Sequence, residues 1–165
     1  MKSLLIVGYG GYGQVVKEIA VMQGYDRIEF IDDNNPQAVG ITEQIEELEA
    51  QYDGSIVAIG NPELRKLFFE RLKNPVTLIH PSAVISDSAS IGAGCVIEAG
   101  AVVNTSSVVK SGCFICAGAV VNHNAVVSEF CQVDCNAVIG AGAEVPAETK
   151  VESNTSFTKI VISIE

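Results

Sequence analysis

From residue 79 to residue 156 the chain reads IHPSAV ISDSAS IGAGCV IEAGAV VNTSSV VKSGCF ICAGAV VNHNAV VSEFCQ VDCNAV IGAGAE VPAETK VESNTS, thirteen hexads without an insertion. The first residue of every hexad is Ile or Val, and the fifth is always Ala, Cys, Ser or Thr. A fixed period this short marks a parallel β-helix, in which a repeat buries its apolar residue only by stacking on its neighbours. The fourth residue is Gly, Asn or Ser in eleven hexads, Phe130 and Glu148 being the exceptions. Those residue types tolerate positive φ, so each hexad predicts a short strand and a corner. Each inward Ile or Val contributes about 1.5–3 kcal/mol of burial. Chain ordering opposes most of that sum, so the number of coils matters more than any one residue.

Residues 1 to about 75 have a different pattern. Leu4 to Val7 is an apolar run closed by glycine, a buried strand. Gly8-Tyr9-Gly10-Gly11-Tyr12-Gly13 is the turn, and Val15, Val16, Ile19 and Ala20 follow at helical spacing up to Gly24, a C-cap. Ile28–Ile31 and Ile56–Ile59 read as further strands, with a polar helix from Thr42 to Gln51 between them, Ile45 and Leu48 on its buried side. Asn61 and Pro62 open a last helix as N-cap and first-turn proline, its apolar face carried by Leu64, Leu67, Phe68 and Leu72. Strand–helix alternation implies a small parallel sheet. The two parts predict domains over 1–75 and 76–165, joined near Lys73, Asn74 and Pro75.

The chain has 165 residues, 48% of them apolar, and a net charge of −10. That charge argues against nucleic-acid partners and anionic membranes, both of which need a basic surface. The apolar run at the N-terminus is too short for a signal peptide, and no run approaches membrane-spanning length; a cytoplasmic protein is expected. From residue 79 onward there are three Lys or Arg and eight Asp or Glu. An outer wall so poor in charge predicts cover by other copies, a homo-oligomer. The exposed ends of the helix also need caps, one supplied by the N-terminal unit and the other by residues 157–165.

Cys113-x-x-Cys116 and Cys131-x-x-x-Cys135 invite a zinc reading. The hexads offer another: Cys95, Cys113 and Cys131 are spaced by eighteen residues in the small fifth slot. If three hexads make a coil, they stack as a column of buried thiols. No metal is expected.

Two candidate sites follow. Gly8-x-Gly10-x-x-Gly13 lies between a strand and a helix, and Asp32 ends the next strand, which is the dinucleotide fingerprint with its ribose-binding acid. The helix N-terminus favours a phosphate. A tight turn also needs these glycines. One strand–helix half suits a single nucleotide, such as a nucleotide-linked sugar, better than NAD; an NAD-dependent oxidoreductase is the weakest alternative. His123 holds the third hexad position, where no other imidazole occurs. An imidazole, with its ordinary pKa of about 6.5, suits a general base near neutrality. A surface histidine at a subunit contact reads equally well. Asn122 falls one coil above Asn104, as an amide ladder would.

Gly8 to Gly13, Phe30-Ile31-Asp32-Asp33, Ala58-Ile59-Gly60-Asn61 with Arg65, Leu78 to Ala83, and Val121-Asn122-His123-Asn124 to Val127 together carry a resemblance over nearly the whole chain. It resembles the hexapeptide-repeat acetyltransferases comprising nucleotide-amino-sugar N-acetyltransferases and sialic acid O-acetyltransferases. The resemblance implies a Rossmann-like half-unit followed by a left-handed parallel β-helix, and a homotrimer with sites between neighbouring helices. It implies acetyl-CoA as co-substrate and a nucleotide sugar held by Gly8, Gly10, Gly11, Tyr12, Gly13, Asp32, Asp33, Gly60 and Asn61. His123 would be the general base, oriented by Asn124, with the backbone N–H of Ala141 stabilising the oxyanion and Gln132 near the cofactor. Asn124 stands where the family often has a carboxylate, Tyr12 where some members have His, and Gln132 where many have a second His. A non-catalytic nucleotide-sugar-binding scaffold is the alternative.

Overall fold

The computed structural model describes residues 1–158. The N-terminal unit is a parallel sheet of order β2-β1-β3, built from β1 (Ser3–Val7), β2 (Arg27–Ile31) and β3 (Gly54–Val57). Helix α1 (Gly11–Met22) follows β1, a 3-10 turn at Thr42–Gln44 leads into α2 (Ile45–Glu49), and α3 (Pro62–Phe69) follows β3. All five residues of β1 are buried, as befits the central strand of a parallel sheet. Glu49, 4% exposed, was not expected in the core. Its carboxylate accepts the N–H groups of Lys73 and Asn74 and the Ser55 hydroxyl, tying the exit of α3 to the sheet.

The expected third strand begins two residues early, because Leu4 of β1 pairs with Gly54 and the ladder ends at Val57. The expected apolar faces of two helices are also corrected. Val15 is exposed on α1, whose buried side is Gly13, Val16, Ile19 and Ala20. On α3 Leu64 and Leu67 are exposed, and the one fully buried residue is Arg65, 1% exposed. A cation is tolerated there because carbonyl oxygens from four residues accept its N–H groups.

From Leu78 to Phe157 the chain forms fourteen two-residue strands, one every six residues. Each pairs in parallel with the strand eighteen residues away, Leu78 with Val96 and Val120 with Val138 for example. Three hexads therefore make one coil, and the strands stack into three sheets that wall a triangular prism, a left-handed parallel β-helix of about four turns. The first residue of each hexad and the small fifth residue form the interior, a continuous core running from Cys95 to Val151. Cys95, Cys113 and Cys131 do form an inward column, each thiol donating to a carbonyl of the next coil, Lys110, Ser128 and Pro146 respectively, at 3.0–3.1 Å. All five cysteines are free.

All eleven fourth-slot residues from Gly94 to Asn154 have φ between +56° and +70°. The serines at 82 and 88, in the first two corners, do not. Asn accepts this conformation readily, whereas Phe130 (+58°) and Glu148 (+60°) carry strain on the order of 1 kcal/mol each. The N-terminal unit lies on one face of the prism: Leu78, Val96 and Phe114 point outward there yet are buried against residues of β1, α1, β2 and β3. The other two faces present Val84, Val102, Val120 and Val138, and Val108 and Val126, as outward columns. The cap expected from 157–165 falls almost wholly outside the described residues.

Candidate active site

His123 stands on the corner between the two uncovered faces, after the inward Val121 and before the positive-φ turn at Asn124. That turn leaves the imidazole exposed. The backbone beneath it is fixed by the coils on either side: Gly142 N–H donates to the His123 carbonyl at 3.0 Å, and Asn124 N–H donates to the Thr105 carbonyl at 3.0 Å. The Asn124 side-chain nitrogen lies 3.0 Å from His123 Nδ1. A primary amide offers either a donor or an acceptor to that ring nitrogen, depending on which end faces it, and so selects the tautomer.

The second hexad position supplies a further device. Asn104 Oδ1 accepts the Thr105 N–H at 2.8 Å, and Asn122 Oδ1 accepts the His123 N–H at 2.8 Å. Asn104 also donates to Asn122 at 3.5 Å, the expected ladder. One coil further on, the same position is Gly140. Having no side chain, it leaves the N–H of the exposed Ala141 without a partner among the described residues. An unclaimed donor therefore stands one coil, about 4.8 Å of stacking, from the coil that carries the imidazole.

The glycine loop builds a second feature. Gly8 has φ +108°, and a Cβ on Gly13 would stand 2.3 Å from the Gly8 carbonyl oxygen, so both are required by the turn itself. Gly10 and Gly11 face open space, and Gly10 caps α1 with no side-chain bond and no acidic residue in the first turn. This helix end is left suited to an anion. A cleft of about 240 Å³ opens beside the loop, lined by Gly8, Ile31, Asp32, Asp33, Asn34, Thr42, Ile59, Leu64 and Phe68. Both acids are already engaged. Asp32 accepts the N–H groups of Tyr9 (2.9 Å) and Asn34 (2.8 Å), while Asp33 accepts the Thr42 N–H (2.7 Å) and hydroxyl (2.8 Å). They shape the rim of the cleft before any ligand arrives.

Other sequence candidates fall elsewhere. Asn61 is the N-cap of α3, its Oδ1 accepting the Leu64 N–H at 2.9 Å, and the Gly60 carbonyl accepts from Arg65. Tyr12 turns away from the cleft onto the prism, its ring 4.5 Å from that of Phe114. Gln132 lines a cavity of about 60 Å³ between α3 and the covered face. The role of Arg65 was not legible. Its signal was present in the repeat, because the two fourth-slot exceptions, Phe130 and Glu148, both meet α3: Phe130 receives Arg65, and Glu148 pairs with Lys66 at 2.9 Å.

The cleft and the imidazole are not brought together within one chain. The cleft belongs to the unit seated on one face, and His123 occupies the corner opposite that face. Among the described residues no group of three or more His, Cys, Asp or Glu is placed to hold a metal, and no helix is long and apolar enough to cross a membrane.

Comparison with known proteins agrees with this architecture. The PglD N-terminal domain family matches residues 3–72. The UDP-N-acetylbacillosamine N-acetyltransferase of Bacillus subtilis (strain 168) is 34% identical over 113 residues, 60% of this chain; the match spans about half, 52%, of that curated relative. The acetyltransferase domain of PglB from Neisseria gonorrhoeae, solved with acetyl coenzyme A, is 31% identical and superposes with a TM-score of 0.67, covering 96% of this chain and 88% of that one. PerB from Caulobacter crescentus, solved with CoA and GDP-perosamine, shares the fold at 24% identity and a TM-score of 0.81, covering 96% of this chain and 90% of that one. With a glycine-loop α/β unit on one face of the prism, and that identity sustained over nearly the full length of the gonococcal domain, the chain belongs to the hexapeptide-repeat nucleotide-sugar acetyltransferases.

Proposed function

We propose that this chain transfers the acetyl group of acetyl-CoA to an amino group of a nucleotide-linked sugar, with His123 as general base. The observation that carries the reading is the exposed imidazole one coil from the unclaimed N–H of Ala141. The sugar amine attacks the thioester carbonyl carbon while His123 Nε2 takes its proton. The Ala141 N–H donates to the developing oxyanion, the carbon–sulfur bond breaks, and the imidazolium returns the proton to the departing thiolate. Transfer is direct, with no acyl-enzyme. In this scheme Asn124 turns its Oδ1 toward Nδ1–H, which frees the Nε2 lone pair. The glycine loop and cleft hold the nucleotide. The names and ligands of the relatives support the two substrate classes: one acts on UDP-N-acetylbacillosamine, one was solved with acetyl coenzyme A, and one with GDP-perosamine. A sugar hydroxyl, as in a sialic acid, is the alternative acceptor.

The working unit is a homotrimer of cytoplasmic enzyme. Cleft and imidazole lie on opposite sides of one prism, so a complete site takes its cleft from one copy and its His123 from the next. The outward valine columns, with Val84 62% exposed, provide the surface that the copies bury.

The test is CoA release from acetyl-CoA with UDP-N-acetylbacillosamine and with GDP-perosamine. His123→Ala is expected to lower kcat at least 10³-fold with the oligomer intact. One observation favours a second reading, a nucleotide-sugar-binding scaffold: Asn124 gives the imidazole an amide where a carboxylate would stabilise its cation. Calorimetric binding of either nucleotide sugar with no binding of acetyl-CoA would select that reading.

A further inference from the structure

Arg65 is the fully buried cation of the N-terminal unit, and its hydrogen-bond partners are carbonyl oxygens. Two of these, Ile59 (2.9 Å) and Gly60 (3.0 Å), lie in the loop just after β3, where Ile59 lines the cleft. The other two, Gly112 (2.9 Å) and Phe130 (2.5 Å), are the same corner of the prism in successive coils. The guanidinium also lies 4.1 Å from the ring of Phe114, the same ring that Tyr12 of the glycine loop approaches. The glycine loop, through Tyr12, and α3, through Arg65, thus both pack on one outward aromatic of the prism.

The repeat has been altered to receive this side chain. Phe130 and Glu148 break the fourth-slot pattern, keep its positive φ, and meet α3 through their side chains, Phe130 packing edge-on against Phe69 at 5.4 Å and Glu148 pairing with Lys66. Asn in that slot would be less strained and would serve the coil alone equally well. These two side chains therefore serve the seam.

We propose that Arg65 is a positioning residue for acetyl transfer: by tying the segment after β3 to one prism corner in two successive coils, it fixes where the nucleotide-sugar cleft stands on its own prism and so, through the trimer, relative to the reacting groups of the neighbouring copy. This rests on the acetyltransferase reading above. A lysine keeps the charge but concentrates its donors on one nitrogen and cannot span four carbonyls.

The experiment is steady-state kinetics of the full chain with acetyl-CoA and whichever of UDP-N-acetylbacillosamine or GDP-perosamine it turns over. It compares Arg65→Lys and Phe130→Asn with the unaltered protein, well below their melting temperatures. The second variant keeps a relaxed corner and its carbonyl, and so preserves the coil even if Arg65→Lys fails to fold. Positioning predicts that kcat falls at least tenfold in Arg65→Lys and at least threefold in Phe130→Asn, with the KM for acetyl-CoA within twofold of the original. A purely structural seam lowers the melting temperature and leaves kcat per folded trimer unchanged, which would overturn the proposal alone. An unaltered chain with no turnover overturns this proposal and the acetyltransferase reading together.

Discussion

Asn124 places its side-chain amide 3.0 Å from Nδ1 of His123, at the turn residue whose φ of +57° lifts the imidazole clear of the corner. An amide can hold the ring and set its tautomer, but it adds no charge to stabilise the imidazolium. Aspartate is nearly isosteric and also tolerates this conformation. Asn124→Asp is expected to raise kcat/KM by about threefold to tenfold. It should also move the acid limb of the pH–rate profile to higher pH, because a nearby carboxylate favours the protonated ring. The pH dependence of kcat/KM for both proteins is the measurement. An unchanged limb would remove His123 from the role of base.

Gly140 leaves the Ala141 N–H unclaimed where Asn104 and Asn122 cap the equivalent groups. Gly140→Asn restores the ladder and should silence the donor. A Cβ there would meet Phe157 and Thr158 at 3.4 Å, an ordinary contact, so the coil accepts it. The expected result is a loss of about 10²-fold in kcat, the usual cost of one oxyanion donor. The KM for acetyl-CoA and the melting temperature should hardly change. Retention of kcat would place the oxyanion elsewhere.

The interior of the prism was legible because a period of six fixes which side chains face inward, and the Cys95–Cys113–Cys131 column followed from spacing alone. His123 stood out for the same reason. What escaped the sequence was everything set by contacts between distant segments. Arg65 looks like a surface residue of a short helix until Gly112 and Phe130 bring their carbonyls to it. Asp32 and Asp33 read as waiting for a ligand, yet each already accepts backbone N–H groups, from Tyr9 and Asn34 for Asp32 and from Thr42 for Asp33. The freedom of the Ala141 N–H is a consequence of the Gly140 side chain that is missing, visible only against the neighbouring coils.

The four buried thiols of the prism are expected to be inert in the native state. Burial holds the Cys116 thiol well above the ordinary range, with the Glu98 charge adding to it, and Cys131 is raised by its hydrogen-bonded neighbour Cys113 and by burial. Iodoacetamide at pH 8 should modify Cys135, the one partly exposed cysteine, and leave the other four until the protein unfolds. Mass spectrometry of the labelled protein distinguishes the two sets. A fall in melting temperature on adding EDTA, with rapid labelling of Cys113 or Cys116 afterwards, would restore the zinc reading.

Tyr12 buries a hydroxyl that has no hydrogen-bond partner among the described residues. A polar group left unsatisfied in the interior costs about 1–3 kcal/mol. Tyr12→Phe keeps the ring on Phe114 and removes that cost, so it should stabilise the protein by about 1 kcal/mol, or roughly 2–4 °C in Tm for a chain of this size. The substitution also tests the alkaline limb. Burial, then the neighbouring Cys116 and Glu98, raises the Tyr12 pKa well above the phenol value. A group whose pKa is raised on folding contributes stability that is complete below its unfolded pKa, here about 10. That contribution is lost as the pH climbs from there toward the folded value. Melting curves from pH 7 to 11 should therefore fall less steeply for Tyr12→Phe than for the parent protein. Parallel curves, or a lower Tm at pH 7, would mean that the hydroxyl is hydrogen-bonded in solution.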